Sequence, residues 1–212
     1  MQATHLCHRP APVNPAAFRV RQGLVAMALC LATGIAAAAT RAPELAAEQL
    51  AIDRTSGTGV GDAMNQEFAQ VFEVYDSGAL THLMLPLNCL TSPMPTLRVT
   101  IQTVKNGLPS GRVLASQDVP GYVMDTYPAA TGELGMRMVQ FEHPAKLKPG
   151  TYAFTLSGIG GLCQLWYGPL GNAYTGGDAY LSNQPGRQPG LPQAWNFPLG
   201  RDLTFQVFQQ PK

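Results

Sequence analysis

"TLRVTIQTVKNGLPSGRVLASQDV", Thr96 to Val119, decides the fold. Its opening alternates, with Leu97, Val99, Ile101 and Thr103 on one side and Arg98, Thr100 and Gln102 on the other, the period of two that marks a strand with one buried face. Asn106-Gly107 supplies residues that tolerate positive φ, Pro109 fixes the chain direction, and "GRVLASQDV" returns as the partner strand. The expected unit is an antiparallel hairpin whose inner face needs a second layer.

Working outward from that hairpin, the same period recurs along the chain. "NQEFAQVFEV" (Asn65 to Val74) sets Phe68, Gln70 and Phe72 against Ala69, Val71 and Glu73. "GALTHLMLPLN" (Gly78 to Asn88) sets Leu80, His82, Met84 and Pro86 against Thr81, Leu83, Leu85 and Leu87. "LGMRMVQFEHP" places Met136, Met138 and Gln140 opposite Arg137, Val139 and Phe141. A Lys-Pro-Gly turn then leads into "TYAFTLS", with Leu147, Tyr152, Phe154 and Leu156 expected to be buried together. "LCQLWYG", "DAYLSN" and "DLTFQVFQ" are further strands, the last with Leu203, Phe205 and Val207 opposite Thr204, Gln206 and Phe208. Tyr122 to Thr131 reads as turns. Glu44 to Asp53 opens with a short helical pattern and is either residual leader or a first edge strand, and "SGTGVGD" (Ser56 to Asp62) reads as a flexible connector. About eight to ten strands joined by short turns predict an all-β antiparallel sandwich, because each sheet must cover an apolar face.

Composition fits that class. Charged residues make up only 13% of the 212, and 22 glycines with 18 prolines predict many turns. Three of the 14 Lys/Arg and none of the 13 Asp/Glu precede Thr40, so the remainder carries a net charge of −2. That balance leaves no electrostatic footprint for nucleic acid.

"RVRQGLVAMALCLATGIAAAAT" (Arg19 to Thr40) has two arginines, an apolar core from Gly23 to Ile35 and a run of alanines, the layout of a secretory signal cleaved after Ala38 or Ala39. The apolar core is short for a bilayer span. The expected organisation is a tail and signal over residues 1–39, a leader and connector over 40–62, and a sandwich domain over 63–212. Export to a secreted or periplasmic location removes Cys7 and Cys30 and leaves Cys89 and Cys163 in an oxidising compartment, where a disulfide is expected. Two thiols without a nearby histidine do not complete a zinc shell.

The segments "NQEFAQVF", "LTHLMLPL", "LRVTIQTVKNGLPSGRVLAS", "FEHPAKLKPGTYAFTLSG", "LWYGPLGNAYTGGDAYLSN" and "AWNFPLGRDLTFQVF" together resemble the choice-of-anchor R module of bacterial surface and secreted proteins. The resemblance covers roughly Asn65 to Phe208 and implies a jelly-roll-like sandwich attached to or sorted with surface machinery. It implies no catalytic residues. The module is usually one part of a longer polypeptide with an anchor, and the pair Cys89 and Cys163 is not a general feature of it.

The densest chemistry lies in "WYGPLGNAYTGGDAYLSN" (Trp166 to Asn183). Trp166, Tyr167, Tyr174, Tyr180 and Trp195 offer flat apolar area to a sugar, with Asn172, Asp178 and Asn183 to bond its hydroxyls. The competing reading is a tight hairpin whose tyrosines pack on Trp195. Alternation sends Trp166 and Tyr167 to opposite faces. Asp178 and Asp202 both begin strands beside glycines and either meet at one end of the sandwich, where backbone carbonyls would have to complete a calcium shell, or cap their own turns. His82 and His143 are far apart in sequence, and either has Asp76, Asp118 or Asp125 as a conceivable partner. Ser110 and Ser157 lack a nucleophile elbow, and "GTGVG" lacks the lysine of a phosphate loop. The expected function is an exported noncatalytic module that needs no cofactor and binds polysaccharide or another envelope protein. A structural subunit of an envelope assembly and a glycoside hydrolase-like enzyme are the alternatives.

Overall fold

The computed structural model describes residues 41–61, 66–89, 95–125, 135–183, 195 and 197–212. The expected tail and signal with Cys7 and Cys30, and the part of the turn-rich stretch from Thr126 to Thr131, lie outside the described residues.

Among the described residues the chain forms β1 (Glu44–Gln49), β2 (Gly57–Gly61), β3 (Gln66–Val74), β4 (Gly78–Asn88), β5 (Thr96–Lys105), β6 (Leu108–Pro120), a single helical turn α1 (Gly121–Asp125), β7 (Met136–Leu147), β8 (Gly150–Ile159), β9 (Leu162–Leu170), β10 (Ala179–Asn183), β11 (Phe197–Pro198), β12 (Arg201–Leu203) and β13 (Phe205–Pro211). Every pairing between these strands is antiparallel. One layer runs β1-β13-β4-β7 and the other β10-β3-β8-β5-β6. The end of β4 passes to β9, β9 to β2, and β2 touches β3 at Gly61 and Gln66, so the two layers join along one edge. The fold is the expected all-β antiparallel sandwich.

The deciding hairpin forms as read. Lys105 pairs with Leu108 across Asn106 (φ 55) and Gly107 (φ 79), a two-residue loop of the primed type whose twist suits the flanking strands. Leu97, Val99 and Ile101 are fully buried and belong to the same core cluster as Leu83 and Leu85 of β4 and Phe205 and Val207 of β13. The layers meet where Phe154 of β8 sits edge-on to Phe205 of β13, with ring centroids 5.4 Å apart. Full burial of one such side chain contributes about 1.5–3 kcal/mol. Cys89, just past β4, is bonded to Cys163 of β9 across a sequence separation of 74, and both are buried.

Of the two readings of Glu44 to Asp53, the first edge strand holds: β1 pairs with β13. Three expectations need correction. Among the described residues there are thirteen strands rather than about eight to ten; the excess comes from β1, β2 and the two- and three-residue strands β11 and β12. The supposed connector is β2. Its glycines reflect close backbone approach instead of mobility: a Cβ on Gly61 would strike the Gly161 carbonyl oxygen, and one on Gly158 would lie 2.6 Å from Gly61 Cα. Finally, strict alternation fails twice. An irregularity between Leu80 and His82 in β4 carries Leu80 into the core with Leu83, Leu85 and Leu87. Thr100 and Gln102, expected to face water, are buried at 9% and 6% exposure. There Thr100 Oγ1 lies 2.7 Å from Thr155 Oγ1, and Gln102 Nε2 donates to Thr100 Oγ1 at 3.0 Å.

Candidate functional site

Between β9 and β10 the chain crosses from Gly171 to Asp178 over one end of the sandwich, and β12 returns beside it by pairing with β9. The crossing closes a cavity of 290 Å³ whose polar lining is Asn172, Asp178, Arg201 and Asp202. The structure therefore brings together three residues singled out in the sequence, Asn172, Asp178 and Asp202, and adds Arg201.

Asp202 anchors this end. It is 1% exposed, and both oxygens are engaged: Gln70 Nε2 donates to Oδ1 at 3.1 Å and the Tyr174 amide donates to Oδ2 at 2.8 Å. Gln70 also accepts from the Leu203 amide at 2.8 Å and donates to the Gly177 carbonyl at 3.1 Å, so one side chain of β3 ties β12 to the crossing. Burial pushes the Asp202 carboxyl above the usual range and neighbouring Asp178 adds to that, while bonds from Tyr174, Gln70 and Ala173 oppose it. The Asn172 carboxamide lies between the two acids, and its nitrogen donates to Asp202 Oδ2 at 3.2 Å and to the Tyr174 carbonyl. Asp178 is exposed and bonded by Tyr180, whose phenol is raised by burial and by that carboxylate.

Arg201 closes the opposite wall. Its Nη1 donates to Ser56 Oγ at 2.8 Å and reaches Asp53 Oδ2 at 3.4 Å, and the guanidinium lies 5.2 Å from the Tyr167 ring centroid. Bonds from the Thr55 hydroxyl and amide, then the Arg201 charge, hold Asp53 below the usual carboxylate range.

The aromatic residues do not share one open face. Tyr167 points inward, edge-on to Phe68 at 6.0 Å, while Trp166 faces out. Trp166 pairs with Gly57 of β2, where an added Cβ would lie 3.4 Å from the indole Nε1, so the ring covers a strand glycine. Tyr174 is half-buried and edge-on to Phe205 at 5.2 Å, and its hydroxyl accepts from the Glu73 amide at 3.1 Å. Trp195 is 6% exposed. Tyr180 bonds Asp178 through its phenol, and Tyr174 meets Asp202 through its backbone amide. The side chain of Asn183 lies outside the described residues.

A second, open groove of 620 Å³ runs over β5 and β6 beside β7. It brings His143 and Asp118 to one surface, but both oxygens of Asp118 accept from Arg98, at 2.7 Å each, which holds that carboxyl low and leaves it committed to the guanidinium. His82 stacks on Phe208 at 4.5 Å, away from that groove, and burial lowers its pKa. Among the described residues no three His, Cys, Asp or Glu side chains group to hold a metal, and no helix is long and apolar enough to cross a membrane. No family model, curated protein or solved structure matches this chain.

Sequence reading missed Gln70 and Arg201. Gln70 was legible in principle, being a lone amide between Phe68 and Phe72 on an inward row, where a polar group must find partners.

Proposed function

We propose that this protein is an exported, noncatalytic binding module that takes a polyhydroxylated ligand, a carbohydrate, at the end of the sandwich closed by Gly171 to Asp178. The supporting observation is a cavity lined by the exposed carboxylate of Asp178 and the Asn172 carboxamide, with Asp178 also bonded by the Tyr180 phenol, so that hydrogen-bond acceptors and donors meet at one opening. The disulfide and the resemblance to choice-of-anchor R modules support export and a place at the cell envelope. The bonding of Asp202 favours binding over two-acid hydrolysis: a glycosidase acid must deliver its proton to substrate, whereas both Asp202 oxygens accept from Gln70 and Tyr174.

The test is retention of the purified chain on immobilised bacterial and plant polysaccharides, with sugar release measured on the same panel. Retention without release is expected, and Asp178→Ala with Asn172→Ala should abolish it with the far-UV spectrum unchanged. Retention that survives this pair of changes, or release of sugar, overturns the reading.

A further inference from the structure

We propose that Asn106, at the tip of the β5–β6 hairpin, is a modification site at which the chain converts itself: the carboxamide is lost as ammonia and the residue becomes aspartate or isoaspartate. Asn106 is followed by glycine, whereas the residue after every other asparagine carries a side chain. The Gly107 amide nitrogen therefore approaches Asn106 Cγ with no Cβ in the way. Both residues are exposed, both hold positive φ (55 and 79), and among the described residues no hydrogen bond engages the Asn106 carboxamide. Asn172 gives the contrast. It is also exposed, but its nitrogen donates to Asp202 Oδ2 and to the Tyr174 carbonyl, and Ala173 follows it.

Water is the one co-reactant. The Gly107 nitrogen attacks Asn106 Cγ, the Cγ–Nδ2 bond breaks, and ammonia leaves with the Gly107 amide proton, closing a cyclic imide. Reaching Cγ requires rotation about the Asn106 main chain, which at the exposed end of a hairpin needs only local opening of the last pair. Water then opens the ring at either carbonyl. Opening at Cγ restores the main chain and leaves aspartate; opening at the main-chain carbonyl carbon leaves the peptide bond on Cγ and inserts one methylene into the backbone. Lys105 pairs with Leu108 across a two-residue loop, and loop length sets register, so the isoaspartate form breaks that pairing. The aspartate form tolerates the left-handed region and keeps it. The change reaches β10: a Cβ on Gly107 would stand 4.0 Å from the Tyr180 hydroxyl, which bonds Asp178.

The test holds the purified chain at mildly alkaline pH in heavy-oxygen water and maps its peptides by mass, with isoaspartate located by enzymatic methylation. Heavy oxygen should enter at residue 106 about tenfold faster than at Asn172, because glycine admits the approach that the Ala173 side chain obstructs. Asn106→Gln, one methylene longer, should abolish the uptake. Amide exchange of the aged chain should show protection lost at the β5–β6 tip in the same fraction of molecules that hold isoaspartate, and the Tyr180 ring signal should double in that proportion. Asn106→Asp, which carries the charge without the extra methylene, should exchange like the parent. Conversion in denaturant but not in the native chain, equal uptake at Asn172, or an isoaspartate-rich sample with the parent's protection overturns the proposal.

Discussion

The hairpin sheet of β3, β8, β5 and β6 and the closed end around Asp202 belong to one sandwich yet hold together by different rules. In the sheet, Leu97, Val99, Ile101, Phe154 and Leu156 are fully buried and stability follows apolar volume. At the closed end, Asp202, Gln70 and Thr204 are just as buried, and stability follows whether each donor and acceptor is met. The first kind of order tolerates exchange of similar shapes. The second fails when a single atom is removed.

The Cys89–Cys163 bond ties the end of β4 to the start of β9, where the two layers join, and its loss should have the largest effect. Closing a loop with a separation of 74 restricts the unfolded chain by about 4–5 kcal/mol on the entropy model. Denaturant melts of Cys89→Ser/Cys163→Ser should show that loss. Hydrogen exchange on the same variant separates the regions: amides of β2 and β9 should lose protection before those of β5 and β8. Uniform loss would show that the two rules operate as one cooperative unit.

Phe154→Ala comes next, at about 3–4 kcal/mol, because it empties the contact between layers where Phe154 meets Phe72 and Phe205. Phe154→Leu should recover more than half of that in the same melts. Recovery by shape marks the apolar rule.

Asp202→Ala tests the polar rule. It strands the Tyr174 N–H and takes one of the acceptors from the Gln70 amide, which keeps the Gly177 carbonyl, a loss of about 2 kcal/mol, and Asp202→Asn should recover little because an amide N–H₂ would face one of those donors. The pH dependence follows from the raised carboxyl: the folded state binds the proton more tightly than the unfolded state, so the Asp202 contribution is full at pH below the ordinary aspartate range and declines as pH rises through the folded value. The gap between parent and Asp202→Ala should therefore narrow from acid to neutral pH in denaturant titrations.

The same contrast explains what could be read from the sequence. Alternation in "TLRVTIQTV" exposes a strand's buried side directly, and Asn106-Gly107 names its turn, because both signals are local. The β2 strand was hidden for a physical reason: Gly61 is selected by a neighbour distant in sequence, Gly158, whose approach no local pattern reveals. The cavity was half legible. Asn172, Asp178 and Asp202 stand out as polar residues among glycines, but Gln70 and Arg201 join them only through strand pairing. The contact of Trp166 with Gly57 was not legible, because cross-strand neighbours are set by register.

The smallest effect is also the one of opposite sign. Asp118, on the hairpin sheet, is held below the ordinary range by the bonds and charge of Arg98, with the pair 2.7 Å apart and each side chain nearly half exposed. A lowered folded value means that its contribution is full above the unfolded value and lost as pH falls through the folded one. Solvent screening limits an exposed pair to about 0.5 kcal/mol. Arg98→Met should therefore flatten the acid limb of the stability profile by that amount and leave neutral-pH core packing untouched, while Asp202→Ala acts on the same limb in the other direction. A double variant whose acid limb equals the sum of the two singles would establish that the sheet and the closed end titrate independently; a departure beyond about 0.5 kcal/mol would mean that the shared β3 strand, which carries both Phe68 and Gln70, couples apolar packing to the polar clamp.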